Sequence, residues 1–114
     1  MMDCLFCKII AGEIPSTVVY EDDTVFCMKD INPQAPIHLL VLPKAHIASA
    51  AEIGPENAGI VAHIFETIAT RIAVGPEFAD GFRVVTNCGE NGCQSVKHLH
   101  FHVLAGEKLS DRMA

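Results

Sequence analysis

The chain contains no tryptophan, one tyrosine and only 6% aromatic residues. Stacking platforms for single-stranded nucleic acid need several exposed rings, and they are scarce here. Positive charge is also in short supply: 8 Lys and Arg stand against 14 Asp and Glu, a formal net charge of -6. A broad electrostatic grip on a phosphate backbone is excluded, because such surfaces are basic. Long hydrophobic runs are missing as well. The longest nearly uncharged stretch, Ile31 to Pro43, is broken by Asn32, Gln34, two further prolines and His38, and nothing approaches the roughly 20 apolar residues of a membrane span. The segment Met1 to Cys7 has no basic stretch followed by an apolar run, so it does not read as a signal peptide. The expectation is a cytoplasmic protein with neither nucleic acid nor membrane as partner.

Repeats and linker-like stretches are absent too, and 114 residues build one core rather than two. A single domain over residues 1–114 is expected. Half of the chain is apolar and only 19% is charged, which excludes a disordered tail. Leu5 to Ala11 reads as a short N-terminal helix stopped by Gly12. Thr17 to Tyr20 and Thr24 to Met28 read as two strands around the acidic turn Glu21-Asp22-Asp23. Asn32 to Pro36 is a loop, and Ile37 to Leu42 a buried strand ended by Pro43. Ile60, Val61, Ile64, Ile68 and Ile72 follow helical spacing, so residues 55–74, from Pro55 to a Gly75-Pro76 stop, form the one long helix. Phe82 to Thr86 is a fourth strand, Asn87 to Gln94 a loop, and Val96 to Leu104 a fifth strand. The class is α+β: a largely antiparallel five-stranded sheet, one long helix and a short N-terminal one.

What the chain does have is histidine and cysteine: six of the first, five of the second. Three histidines alternate in Lys97-His98-Leu99-His100-Phe101-His102-Val103-Leu104. As a strand, this segment puts all three imidazoles on one face and Leu99, Phe101 and Val103 on the other; as a helix neither face is coherent. His98 and His102 would then stand about 13 Å apart. Metal–nitrogen bonds are about 2 Å, so all three cannot close on one ion without a severe bulge. A neutral imidazole is also a nucleophile toward phosphorus near pH 7, provided its neighbours fix the tautomer.

The odd cysteine count argues against a disulfide scaffold and for reduced thiols. Cys4-Leu5-Phe6-Cys7 has the spacing of half a zinc site or of a redox pair. No second such pair exists, so further ligands have to be histidines. Cys27, Cys88 and Cys93 lack ligand spacing, and His63 reads as a flank residue of the long helix.

The segment His98-Leu99-His100-Phe101-His102-Val103-Leu104 resembles the signature of the histidine triad family of nucleotide hydrolases and transferases. Asp30-Ile31-Asn32-Pro33-Gln34-Ala35-Pro36-Ile37-His38 and Gln94-Ser95-Val96 are similar to further blocks of its Hint branch. The likeness runs from about Cys4 to Gly106 and implies the HIT-like fold. It also implies hydrolysis of purine nucleoside phosphoramidates at the P–N bond. His100 would be the nucleophile and carry a nucleotidyl-histidine, His102 would place the phosphate, and His38 would orient the His100 ring. Gln94 and Ser95 would bind phosphate oxygens or protonate the leaving amine. Asn87 matches a ribose–phosphate contact, Asp30 the acceptor of the ribose hydroxyls, and Ile14 and Ile31 the base slot. The resemblance implies a structural zinc on Cys4, Cys7, His46 and His98, no catalytic metal, and a homodimer with sheets joined across the two-fold.

This sequence departs from the Hint pattern in three places: Gly92-Cys93-Gln94-Ser95 before the triad, Ala105-Gly106-Glu107 after it, and Lys108 to Ala114 at the tail. Two other readings compete. One is a purine nucleotide-binding regulatory module with weak or incidental hydrolysis. The other is a zinc hydrolase using the histidine cluster directly, which the strand spacing disfavours.

Overall fold

The alternation of the β-rich segments is realised as a sheet covered on both faces. In the computed structural model, residues 4–112 are described. They form α1 (Leu5–Ile10), β1 (Val18–Glu21), β2 (Val25–Lys29), β3 (Ile37–Pro43), α2 (Ala58–Thr67), β4 (Arg83–Val85) and β5 (Phe101–Ala105), with short 3-10 turns at Ala50–Glu52 and Pro76–Phe78. The sheet order is β1-β2-β3-β5-β4 and every pairing is antiparallel. The expected class and strand number hold. Among the described residues, no helix is long and apolar enough to cross a membrane.

Period-two geometry sorts the sheet residues. Val25, Cys27, Leu39, Val41, Leu99, Phe101, Val103 and Ala105 form the main core with Ile64, Ile68 and Ile72 of the helical segment. Phe26, Met28, Leu40 and Leu42 point the other way and are covered by α1 through Phe6, Ile9 and Ile10. His38 and His102 lie on this second face, because each alternates with core residues of its strand. The site therefore forms on the α1 side while the main core closes on the α2 side.

Three expected elements change their bounds. The long helix starts at Ala58 rather than Pro55. Asn57 faces backwards, its Oδ1 accepting from Gly54 N (2.7 Å) and its Nδ2 donating to Glu52 O (3.1 Å), so the preceding residues are held as a turn. At its other end α2 gives way to a π-helical turn, Ile68–Ile72, closed by Ala73 N to Ile68 O. The wider turn offsets the drift that i+4 spacing accumulates on an α-helix, so Ile64, Ile68 and Ile72 all stay on the sheet. The fourth strand is shortened to Arg83–Val85. The fifth begins at Phe101, not Val96. Leu99 N is drawn to Ile47 O (2.6 Å) and the His98 ring to Pro43 O (2.8 Å), which takes residues 96–100 out of the ladder. Gly106 then turns the chain away from β5 at φ +102°, where an added Cβ would meet Pro36 at 2.8 Å.

Candidate active site and metal centre

The three alternating histidines still point to one face, but that face is covered. His98 is fully buried and His100 nearly so, while His102 is half-buried. The cover is Phe6, whose ring meets His100 edge-on at 5.0 Å and His98 at 6.0 Å. The histidines were expected on one shared face; α1 docks on that face, because its Phe6 has the Phe26, Met28, Leu40 and Leu42 cluster to join.

Hydrogen bonds decide which ring nitrogens carry protons. His100 Nδ1 lies 2.7 Å from the His98 carbonyl. A carbonyl only accepts, so Nδ1 holds the proton and Nε2 keeps the lone pair. His38 Nδ1 accepts from Gln34 N at 3.0 Å, which puts the His38 proton on Nε2. That proton is directed to His102 Nδ1 (2.9 Å), with Asp30 Oδ2 at 3.3 Å. His102 is left with Nε2–H as a donor. The histidines are thus set for different tasks: His100 presents a lone pair, His102 a proton.

His38 was expected to orient His100. It does not touch that ring; it orients His102, and the His98 carbonyl orients His100. The physical reason is register. His38 pairs with Leu104 and Leu40 with His102, so His38 stands diagonal to His102 on the shared face, one step further from His100.

Burial favours the neutral form of His102 and of His38. Desolvation, and then the neighbouring His100 and His38, hold His102 down at about 4. His38 is lowered too, by burial, with the Asp30 carboxylate working against it.

The other expected site residues are placed as follows. Asn87 lines a cleft of about 370 Å³ together with Gln34, His38, His102, Arg83 and Leu109. Asp30 is half-buried beside His38, its Oδ1 accepting from Asn32 N at 2.8 Å. Gln94 is buried, and its amide is spent on the protein: Oε1 accepts from Gly89 N, and Nε2 donates to Ala48 O and Val96 O. The Gln94 side chain therefore shapes the loop, and Ser95, exposed beside it, is free to face a ligand. This loop is tight. An added Cβ on Gly92 would come within 2.5 Å of Cys88 O, and Cys93 sits at φ 61°. Ile14 is half-buried and Ile31 is 99% exposed, and neither lines the histidine cleft.

Cys4, Cys7, His46 and His98 converge so that their four donor atoms lie within 4.8 Å of one another. Sγ to Nδ1 separations are 3.3 Å for Cys4–His98, 3.3 Å for Cys7–His46 and 3.6 Å for Cys7–His98. A tetrahedral zinc with ordinary bond lengths has Sγ–N edges of about 3.6 Å. His98 Nε2–H donates to Pro43 O at 2.8 Å, which leaves Nδ1 with its lone pair toward the cysteines. Two thiols, two imidazoles and an outer hydrogen bond of the right polarity fit a closed zinc site. Asp30, His38 and His102 also cluster, but the His38 Nε2 proton already occupies the space between them.

Sequence reasoning missed Phe6, the Gln34 amide, the Pro43 carbonyl, and Arg83 with Leu109 and Ser110 at the cleft wall. Phe6 left a signal, standing inside the Cys4–Cys7 pair. The peptide groups left none.

Comparison with known proteins agrees with this fold. The family model described as "Scavenger mRNA decapping enzyme C-term binding" matches residues 3–114. A histidine triad protein from Clostridium difficile, solved by crystallography, is 54% identical with a TM-score of 0.92, over 97% of this chain and 96% of that one. A "14 kDa zinc-binding protein" of Zea mays is 44% identical over 93% of this chain and 84% of its own length. "Adenylylsulfatase HINT1" of Arabidopsis thaliana is 41% identical over 93% of this chain and 73% of its own length. With the triad, the sheet order and these relatives together, the chain belongs to the histidine triad family, in its Hint-like branch.

Proposed function

We propose that this protein hydrolyses purine nucleoside phosphoramidates through a covalent nucleotidyl-histidine on His100. The observation that carries the reading is the His100 Nδ1 to His98 carbonyl bond, which leaves Nε2 as a lone-pair nucleophile. The adenylylsulfatase name of a relative is in keeping with attack at an α-phosphorus.

In the first step His100 Nε2 attacks the α-phosphorus; an Nε2–P bond forms and the P–N bond to the amine breaks. The departing amine takes a proton from the Ser95 hydroxyl. The phosphorylated ring is cationic, and the His98 carbonyl facing its Nδ1–H stabilises that charge at no cost in reorganisation. His102 donates Nε2–H to a phosphoryl oxygen, held in that tautomer by His38. In the second step water attacks phosphorus, the Nε2–P bond breaks, and the water's proton restores the Ser95 hydroxyl. The products are the amine and the nucleoside monophosphate. Asp30 accepts from the ribose hydroxyls, and Asn87 and the Gln94–Ser95 loop contact the phosphate.

Zinc on Cys4, Cys7, His46 and His98 supplies structure rather than reaction chemistry: four protein donors leave no open position. A homodimer across a sheet edge completes the proposal. β4, three residues long and flanked by the half-exposed Phe82, is the edge to be paired.

The test is adenosine 5′-phosphoramidate, with and without chelator, with AMP release followed for wild type and His100→Ala. The variant is expected to lose at least about 10³-fold in kcat. Release at the wild-type rate by His100→Ala would sink the covalent assignment. Tight AMP binding with no release from any phosphoramidate would leave the regulatory module.

A further inference from the structure

The two centres described above share one residue. The His98 ring turns Nδ1 to Cys4 (3.3 Å) and Cys7 (3.6 Å), and Nε2–H to Pro43 O (2.8 Å). Its carbonyl accepts from His100 Nδ1–H at 2.7 Å. A second connection runs beside the first. The peptide after the ligand His46 braces the nucleophile segment, Ile47 O accepting from Leu99 N at 2.6 Å. The next carbonyl, Ala48 O, accepts from Gln94 Nε2 at 2.8 Å and so holds the loop that carries Ser95. A third is packing: Phe6, between the two cysteine ligands, sets its edge against both His98 and His100.

We propose that the Cys4–Cys7–His46–His98 centre, acting through His98 and the peptide after His46, sets the orientation of His100 and of the Gln94–Ser95 loop in addition to stapling the fold. The physical reason is that a fully buried ring held at both nitrogens has no rotational freedom left. Its peptide carbonyl inherits that rigidity, and the carbonyl is what selects the His100 tautomer. Binding free energies are reciprocal, so occupancy at His100 has to be felt at the metal. This inference rests on the nucleotide reading only in its choice of ligand.

The test keeps the protein loaded throughout, so that unfolding cannot mimic coupling. Cobalt(II) replaces zinc in the full chain, and its d–d absorption is followed while AMP is added. The expected result is a band shift that saturates with AMP occupancy and that is lost in His100→Ala. Unchanged bands at saturating AMP would overturn the proposal.

A second measurement needs no nucleotide. The 15N and 1H resonances of the His100 ring are compared between zinc-loaded and cadmium-loaded protein, whose longer metal–sulfur bonds displace His98. A changed Nδ1–H resonance with the fold intact supports the coupling; identical spectra refute it. Failure of AMP to bind at all would count against the nucleotide reading and leave this second comparison decisive for the coupling.

Discussion

At the scale of single residues, the side chains of this site are tuned mainly by what their neighbours accept. His102 is the clearest case. Burial, then His100 and His38, lower it from an ordinary 6.5 to about 4, so the folded protein binds this proton less readily than the unfolded chain does. Its stabilising share is complete above pH 6.5 and is lost as pH falls toward 4. The urea midpoint is expected to fall between pH 7 and pH 4.5, and less steeply in His102→Gln, as measured by chemical denaturation at fixed ionic strength. A steeper fall in the variant would contradict this. Cysteine reactivity divides in the same manner. Burial pushes Cys27 up to about 12, whereas Cys88 and Cys93 are exposed. In zinc-loaded native protein at pH 8, Cys88 and Cys93 are expected to react with a thiol reagent within minutes, and Cys27 only on unfolding. Mass spectrometry of the labelled peptides reads the order directly.

At the scale of elements, the β1–β2 hairpin is tied to α2 by one carboxylate. Asp22 Oδ1 accepts from Thr24 N (2.8 Å) and Val25 N (2.7 Å), while Oδ2 meets Tyr20 O–H (3.0 Å) and His63 Nε2 (3.0 Å). Burial opposes its ionisation, but these donors together outweigh it and hold the carboxyl well below the usual range. Its contribution is therefore present above pH 3.8, its ordinary value, and disappears in stronger acid. Asp22→Ala leaves two turn amides without their acceptor and is expected to lower stability by about 1–3 kcal/mol, with the proposed phosphoramidate turnover unchanged. A thermal melt and an activity assay on the same sample check both halves. This cluster also gives His63 an occupation that its helical position alone did not suggest.

Much of the element level was legible in advance. The alternation of Leu99, Phe101 and Val103 against the histidines named both faces of the last strand correctly. The apolar spacing of Ile60 to Ile72 named the buried side of α2. What escaped was where regular structure stops. Residues 96–100 look like strand because their pattern is that of a strand, yet the Pro43 and Ile47 carbonyls draw His98 and Leu99 out of the ladder. Peptide groups are the same in every residue, so no composition rule announces which of them will accept a particular proton. The misassigned partner of His100 has the same origin: two histidine strands were foreseen, but not the register that sets His38 diagonal to His102.

At the scale of the whole molecule, the candidate metal centre joins distant parts of the chain, with Cys4 and His98 separated by 94 residues. Only six residues of α1 are helical, too few to hold a helix in water without docking. Chelation is expected to lower the melting temperature by about 10–20 °C, on the scale of a ligand present far above its dissociation constant. It should also open Cys4 and Cys7 to thiol reagents. Differential scanning calorimetry with and without chelator, followed by readdition of zinc, checks this; an unchanged melt would remove the structural role.

The sequence by itself determined which residues could do chemistry. Alternation put the three imidazoles on one side of a strand, and the two-residue spacing of Cys4 and Cys7 called for two histidines from elsewhere. Both follow from local geometry, which a short stretch of chain carries within itself. Only the tertiary structure decided the protonation of each ring, because that depends on backbone groups from other elements. Gln34 N settles His38, His38 settles His102, and the His98 carbonyl settles His100. It also decided that one histidine faces both clusters at once, since ring and carbonyl of His98 find their partners only when α1, β3 and β5 have packed together.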